Sequence, residues 1–136
     1  MPYVVADDRK EYANRERFPG AADVHCGPYA GSLGKLPVGR ETYLVICTHA
    51  HAHDLLVLRE ALKTDAAYIG LIASRKKAAS FRLQIEKEGA VKWDDRVYSP
   101  VGLDLGDSSP GQIALSVMAE IVKLQSGGTG AHKRME

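Results

Sequence analysis

The 136-residue sequence has few cysteines, no long apolar run and almost no net charge. Two cysteines, Cys26 and Cys47, are too few for a disulfide framework in so small a chain and are typical of free thiols. No apolar run approaches the ~20 residues of a membrane span, and the amino terminus lacks the apolar core of a signal peptide. A net charge of +1 gives no general attraction to nucleic acid or membranes. We therefore expect a cytoplasmic protein that binds neither.

Short apolar runs alternate with amphipathic stretches, and this alternation predicts an α/β fold with a parallel sheet. The predicted strands are residues 3–6, 22–26, 43–47, 67–73 and 96–99. The predicted helices are residues 55–63, residues 74–88 and a well-buried final helix that starts at Pro110 with Ser109 as its cap. We expect one domain over residues 1–125. Residues 126–136 are glycine-rich and polar, which predicts a disordered tail.

A polar cluster follows the predicted strand 43–47 directly. Its members are Thr48, His49, His51, His53 and Asp54. Polar groups at the carboxyl ends of parallel strands lie where open α/β sheets bind ligands. Two histidines at positions i and i+2 of an extended segment point the same way and can bind zinc, although a loop that caps the next helix explains the same residues. Because the ligand set on this segment is incomplete, we expect no tightly bound zinc.

A second polar cluster, Ser74-Arg75-Lys76-Lys77, starts a helix directly after the strand 67–73. Three cations near the positive end of a helix dipole cost about 0.3–1 kcal/mol each. A phosphate bound at the free amides would offset this repulsion, whereas the alternative is three solvated, screened side chains. Because both clusters follow buried strands, we expect them to face one crevice.

Two weaker signals lie elsewhere in the chain. Asp7 and Asp8 end the first predicted strand, and in dinucleotide-binding folds an acidic residue after the second strand binds the ribose hydroxyls. No glycine-rich turn precedes them, which counts against NAD(P) binding. The predicted loop 100–107 contains Gly102 and Asp104, which suit either close approach to a ligand or an ordinary turn.

Several motifs occur in an order that is similar to one known family. They are VADDR at 5–9, NRERFP at 14–19, THAH at 48–51 with Asp54, YIGLIASRKK at 68–77, PVGLDLG at 100–106 and the stretch 110–122. Over roughly residues 3–124 the chain resembles the Rossmann-like carboxyl-terminal domain of the XdhC/CoxI family, the xanthine dehydrogenase accessory proteins. The resemblance implies a three-layer Rossmann-like parallel sheet, amino-terminally truncated, because the family's first strand and glycine-rich turn are absent. Ala73 also stands where the family usually has glycine.

The resemblance implies a maturation factor for molybdenum hydroxylases such as xanthine dehydrogenase or carbon monoxide dehydrogenase. Such proteins are thought to bind molybdenum cofactor, hold it for sulfuration with a cysteine desulfurase and assist its insertion into the apoenzyme. A cofactor-binding chaperone is therefore expected more than an enzyme, with no catalytic residue. We expect the cofactor, whose molybdopterin carries a phosphate, to be bound by residues of the features above: Asp7, Asp8, Thr48, His49, His51, Asp54, Ser74, Arg75, Lys76, Gly102 and Asp104.

Two enzyme classes remain as alternatives. One is an NAD(P)-binding oxidoreductase, against which the absent glycine turn counts. The other is a metal-dependent hydrolase that uses His49, His51 and His53. That fold needs further downstream histidines, and the sequence offers only His132 in the tail.

The absent strand also predicts how the chain assembles. In the doubly wound order 3-2-1-4-5-6 the first strand is central, so its loss leaves facing rows of unpaired backbone groups. Either residues 3–6 slide across to pair with residues 43–47, or another chain fills the gap. Since the helices would have to follow a sliding strand, we expect a homodimer or larger homo-oligomer with the amino-terminal strand at or near the interface.

Overall fold

The computed structural model describes residues 1–106 and 108–135. Its strands form two separate parallel sheets. In the first sheet, β1 (Val4–Asp7) pairs with β2 (Asp23–Cys26). In the second, β4 (Tyr68–Leu71) lies between β3 (Tyr43–Ile46) and β5 (Val97–Tyr98). Every strand pair is parallel. The predicted α/β class with parallel sheets is confirmed.

Three α-helices cover the larger sheet on two sides. They are α1 (His51–Leu62), α2 (Arg75–Glu88) and α3 (Pro110–Ser126). Alternate residues of β4 point to opposite faces, as strand geometry requires. Ile69 and Leu71 pack with residues of α1 and α2, whereas Tyr68 packs with Val117 and Ile121 of α3. The sheet is therefore the middle of three layers, and β4 is its fully buried centre.

Two predicted details of the helices are wrong. The first helix begins at His51 rather than at residue 55, because Asp54 can accept hydrogen bonds from the residues that precede the first turn. Ser109 precedes α3 in an extended conformation, but its side chain makes no capping hydrogen bond. Pro110 at the first helical position fixes the start instead.

The final helix is also less buried than predicted. Val117 and Ile121 face the core, but Leu115, Met118 and Val122 are 62%, 43% and 49% exposed. One face of α3 packs on the sheet, and no layer covers this other flank within the described residues. Beyond Ser126 the residues to 135 form neither helix nor strand. Asp107 of the predicted loop and Glu136 of the tail lie outside the described residues, and the predicted disorder of the tail stays a prediction.

The first sheet and the second do not pair with each other. The carbonyls of Tyr3 and Asp7 accept hydrogen bonds from the β2 side, and those of Thr42 and Ile46 accept bonds from the β4 side. Neighbouring residues of a parallel strand point their amides and carbonyls to opposite sides. The backbone groups of Val4, Ala6, Tyr43 and Val45 therefore face the space between β1 and β3.

That space is a cleft of about 350 Å³, lined by both strands and by Tyr29 and Leu33. The strand at the amino terminus has thus not moved across to pair with β3. Among the described residues, no strand fills the position between them. Tyr29 and Leu33 follow β2 in the chain and pack in the core with Ile46 and Val57, which ties the first sheet to the second.

No described helix is both long and apolar enough to cross a membrane. Cys26 and Cys47 are free thiols, as the cysteine content predicts.

Gly70→Ala should destabilise the fold, since Gly70 lies at a close approach in β4. A Cβ atom there would meet Val101 Cγ2 at 2.6 Å and the Tyr68 ring at 2.7 Å. Overpacking of this kind costs about 1–3 kcal/mol of unfolding free energy, measurable by urea denaturation. Gly34→Ala is the matched control, because no atom lies within 4 Å of its added Cβ. Equal midpoints for the two variants would contradict this close packing around Gly70.

Candidate binding site at the carboxyl ends of the strands

The carboxyl ends of β1 and β3 meet at one end of the cleft. Asp8 follows β1 and His49 follows β3, and Asp8 Oδ1 lies 3.0 Å from His49 Nε2. The two residues are 41 positions apart in the chain. Since β4 is parallel to β3 and adjacent to it, its carboxyl end lies on the same edge of the sheet.

The side chains of the three histidines do not lie in one extended row. His53 lies in the first turn of α1, with its ring centroid 5.1 Å from that of His49 and its Nε2 3.8 Å from Asp8 Oδ2. His51 turns instead toward Phe81 of α2, at 6.4 Å between ring centroids. The prediction that His49 and His51 point the same way is wrong, because the helix starts at His51 and ends the alternation of the strand.

Thr48 and Asp54 fix the start of α1. The buried Asp54 accepts hydrogen bonds from the Thr48 backbone N–H at 2.9 Å and from its hydroxyl at 2.6 Å. A carboxylate in the first turn also interacts favourably with the helix dipole. Both groups are therefore occupied in holding the loop, and their place in the site is to position His49 and His53.

Asp7 and Asp8 have different surroundings. Asp7 accepts hydrogen bonds from the backbone and guanidinium of Arg9, at 2.8 to 3.1 Å. The Arg9 guanidinium holds the pKa of Asp7 below its usual value. Asp7 is thus paired within its own segment, and Asp8 is the carboxylate that faces the histidines.

Ser74 caps α2, and its hydroxyl oxygen accepts a hydrogen bond from the Lys77 N–H at 3.2 Å. The first turn of α2 carries no acidic residue, and Arg75, Lys76 and Lys77 are exposed. Within residues 1–106 and 108–135, no salt bridge involves these three cations. Their repulsion with the helix dipole is therefore not relieved by an ion pair there. That this cluster and the histidine loop line one crevice stays a prediction.

Gly102 and Asp104 lie in a turn that is held by internal contacts. Gly102 has φ +97°, and a Cβ atom there would lie 2.3 Å from Ser116 Oγ. Its N–H donates to the buried Glu120 carboxylate at 3.1 Å, and Glu120 also accepts from the Tyr68 hydroxyl at 2.8 Å. Asp104 accepts from the Gly106 N–H at 3.1 Å. These contacts favour the turn interpretation of both residues.

Tyr29 belongs to the site but has no distinctive signal in the sequence, where it lies in a stretch rich in glycine and proline. Its ring centroid lies 4.9 Å from that of His53 and 6.3 Å from that of His49. Its buried hydroxyl has no hydrogen-bond partner among the described residues. Burial first, and then the charges of Asp7 and Asp8, raise the pKa of Tyr29 to about 12, while the nearby Asp8 backbone amide acts to lower it.

The parallel strands, the helices on both faces and the polar loops at one sheet edge define an open α/β domain of the Rossmann-like class. Residues 1–121 match the XdhC Rossmann domain, and the chain belongs to that family. The resemblance and the Rossmann-like fold class are both confirmed.

Two relatives share 30% sequence identity with this chain. YqeB of Escherichia coli (strain K12) aligns over 128 residues, which are 93% of this chain and 23% of YqeB. A Bacillus subtilis (strain 168) protein, whose name describes a probable subunit of xanthine dehydrogenase, aligns over 120 residues, which are 88% of this chain and 34% of that protein. The chain therefore spans only about a quarter to a third of these relatives.

A solved structure has the same fold. The crystal structure of a xanthine dehydrogenase from Bacillus halodurans superposes with a TM-score of 0.79 at 27% identity. The match covers 91% of this chain and 36% of that one.

Asp54→Ala should destabilise the protein by about 1–3 kcal/mol, because it leaves the Thr48 N–H without its buried acceptor and the Thr48 hydroxyl with the Ala50 carbonyl alone. Asp54→Asn should cost less, since the amide oxygen can still accept. Asp104→Ala is the control: it removes a carboxylate from an exposed turn, and we expect a change within about 0.5 kcal/mol. Urea denaturation of the three variants measures how much unfolding free energy each one loses. An Asp54→Ala effect no larger than that of Asp104→Ala would contradict the role of Asp54.

Proposed function

We propose that this domain acts in the maturation of a molybdenum hydroxylase of the xanthine dehydrogenase type. Its family membership carries the proposal, and the names of the Bacillus relatives, which refer to xanthine dehydrogenase, support it. In this role the domain binds molybdenum cofactor in the cytoplasm. It meets two protein partners, a cysteine desulfurase that supplies sulfur and the apoenzyme that receives the cofactor.

The start of α2 is where the phosphate of molybdopterin binds in this proposal. Free amides and the positive end of the dipole attract an anion there. Ser74 orders the first turn, and Arg75, Lys76 and Lys77 add three exposed positive charges without an acidic residue in that turn. A bound phosphate turns an unfavourable arrangement of charges into a favourable one.

Replacing Arg75 and Lys76 together with alanine should weaken molybdenum cofactor binding, measured by calorimetry on the purified chain. Wild-type affinity should also fall as salt rises, because exposed charges are screened within about 10 Å at 0.1 M ionic strength.

The matched control replaces Arg82 and Lys87 together with alanine. It removes the same charge from the same helix, but away from the start of that helix. Affinity that is unchanged in the Arg75/Lys76 variant, or reduced equally in both variants, would reject the phosphate site.

The open edges of β1 and β3 support an assembly of two or more copies. Backbone groups that face a cleft without partners cost about 1–3 kcal/mol each when buried, and open strand edges are templates for pairing between chains. We propose a homodimer or larger homo-oligomer with β1 at or near the interface.

Val4 and Val45 lie on these two edges and are each 40% exposed. Val4→Lys and Val45→Lys should therefore shift the protein toward monomer, measured by light scattering. Val122→Lys tests the other apolar surface, the flank of α3. Dissociation by Val122→Lys alone would place the interface on α3 instead, and a wild-type monomer at micromolar concentration would refute the assembly.

A further inference from the structure

We propose that Asp8, His49 and His53 form a site for one divalent transition metal ion, with zinc as the best fit. One ligand atom from each residue can be chosen so that all lie within 4.8 Å of one another. Two imidazoles and one carboxylate are a typical ligand set for zinc. The expectation of no tight zinc counted only the histidine segment, and Asp8 completes the set from the end of a different strand.

The distances suit a tetrahedral ion. Ligand atoms at about 2.0–2.1 Å from zinc lie about 3.3 Å from one another in a tetrahedron. Asp8 Oδ1 lies 3.0 Å from His49 Nε2, and Asp8 Oδ2 lies 3.8 Å from His53 Nε2. The two values involve different oxygens of Asp8, and one atom from each residue lies within 4.8 Å of the others. Side-chain rotations that draw these atoms together would therefore place all three around one ion. The three side chains are 28–37% exposed, which leaves a path for the ion to enter.

An ordinary ion pair explains this cluster less fully than a metal does. Asp8 reaches hydrogen-bonding distance of His49 only, since 3.8 Å is too long for a hydrogen bond to His53. A metal ion binds both imidazoles in their neutral form and is itself attracted by the carboxylate.

Three protein ligands leave a fourth position open, as in zinc sites that bind water or a substrate. Tyr29 packs its ring against both histidine rings, and its buried hydroxyl has no partner among the described residues. The Tyr29 ring thus borders the cluster on one side. The metal site does not depend on molybdenum cofactor binding, and either proposal can fail alone.

The test is calorimetric titration of the chelator-treated full chain with zinc alone. We expect one equivalent to bind. Asp8→Ala, His49→Ala and His53→Ala should each weaken binding by more than the roughly 10–100-fold that follows loss of an outer-shell partner.

The chain offers matched controls for each ligand type. Asp7→Ala removes the neighbouring carboxylate, which Arg9 already holds. His51→Ala removes the histidine that turns toward Phe81, and His132→Ala removes the one in the tail. All three should bind zinc as the wild type does.

Cobalt substitution adds a spectroscopic test, because tetrahedral Co²⁺ gives strong visible absorption bands. These bands should appear in the wild type and in His51→Ala, and be lost in His53→Ala. If an alanine variant does not fold, Asp8→Asn and His53→Gln replace it, since they keep the approximate side-chain size. Substoichiometric zinc in the wild type, or equal losses in His51→Ala and His53→Ala, would overturn the proposal.

Discussion

The facing edges of β1 and β3 are the constraint on which the arrangement of this domain depends. Both strands use one row of backbone groups for their own sheet and direct the other row into a shared cleft. Since no backbone ladder crosses that cleft within the described residues, side chains must hold the two sheets together. Tyr29 and Leu33 do so in the core, and the contact of Asp8 with His49 does so at the carboxyl ends.

The chemistry of the site depends in turn on where α1 begins. Asp54 accepts two hydrogen bonds from Thr48 and so sets the helix to start at His51. Residues His49 and His53 then lie side by side, one just before the helix and one in its first turn. If α1 started one residue later, its side chains would be rotated by about 100° around the helix axis. His53 would then no longer lie beside Asp8. A buried carboxylate outside the cluster thus determines which histidines can act together.

The sequence predicted the parts of the structure that depend on local pattern. All five strands follow from short apolar runs, and the predicted helix 74–88 agrees with α2 to within one residue. In the structure Ser74 caps its start, and Gly89 follows its last turn with φ +70°. The contact between Asp8 and His49 was not predictable in this way, because it joins residues far apart in the chain. Tyr29 was missed for the same reason: a residue in an irregular segment has no periodicity, and only the folded chain shows what it packs against.

The cleft and the exposed flank of α3 are connected by the handedness of the fold. Crossovers between parallel strands are right-handed, so α1 and α2, which join β3 to β4 and β4 to β5, lie on one face of the sheet. A parallel strand in the cleft that was joined to β1 through a helix would make its crossover in the opposite direction across the sheet. Because that crossover is also right-handed, its helix would lie on the other face. That is the face of α3, where Leu115, Met118 and Val122 are exposed. One strand–helix unit in that position would therefore pair with the open backbone edges and place its helix on the same face of the sheet as α3.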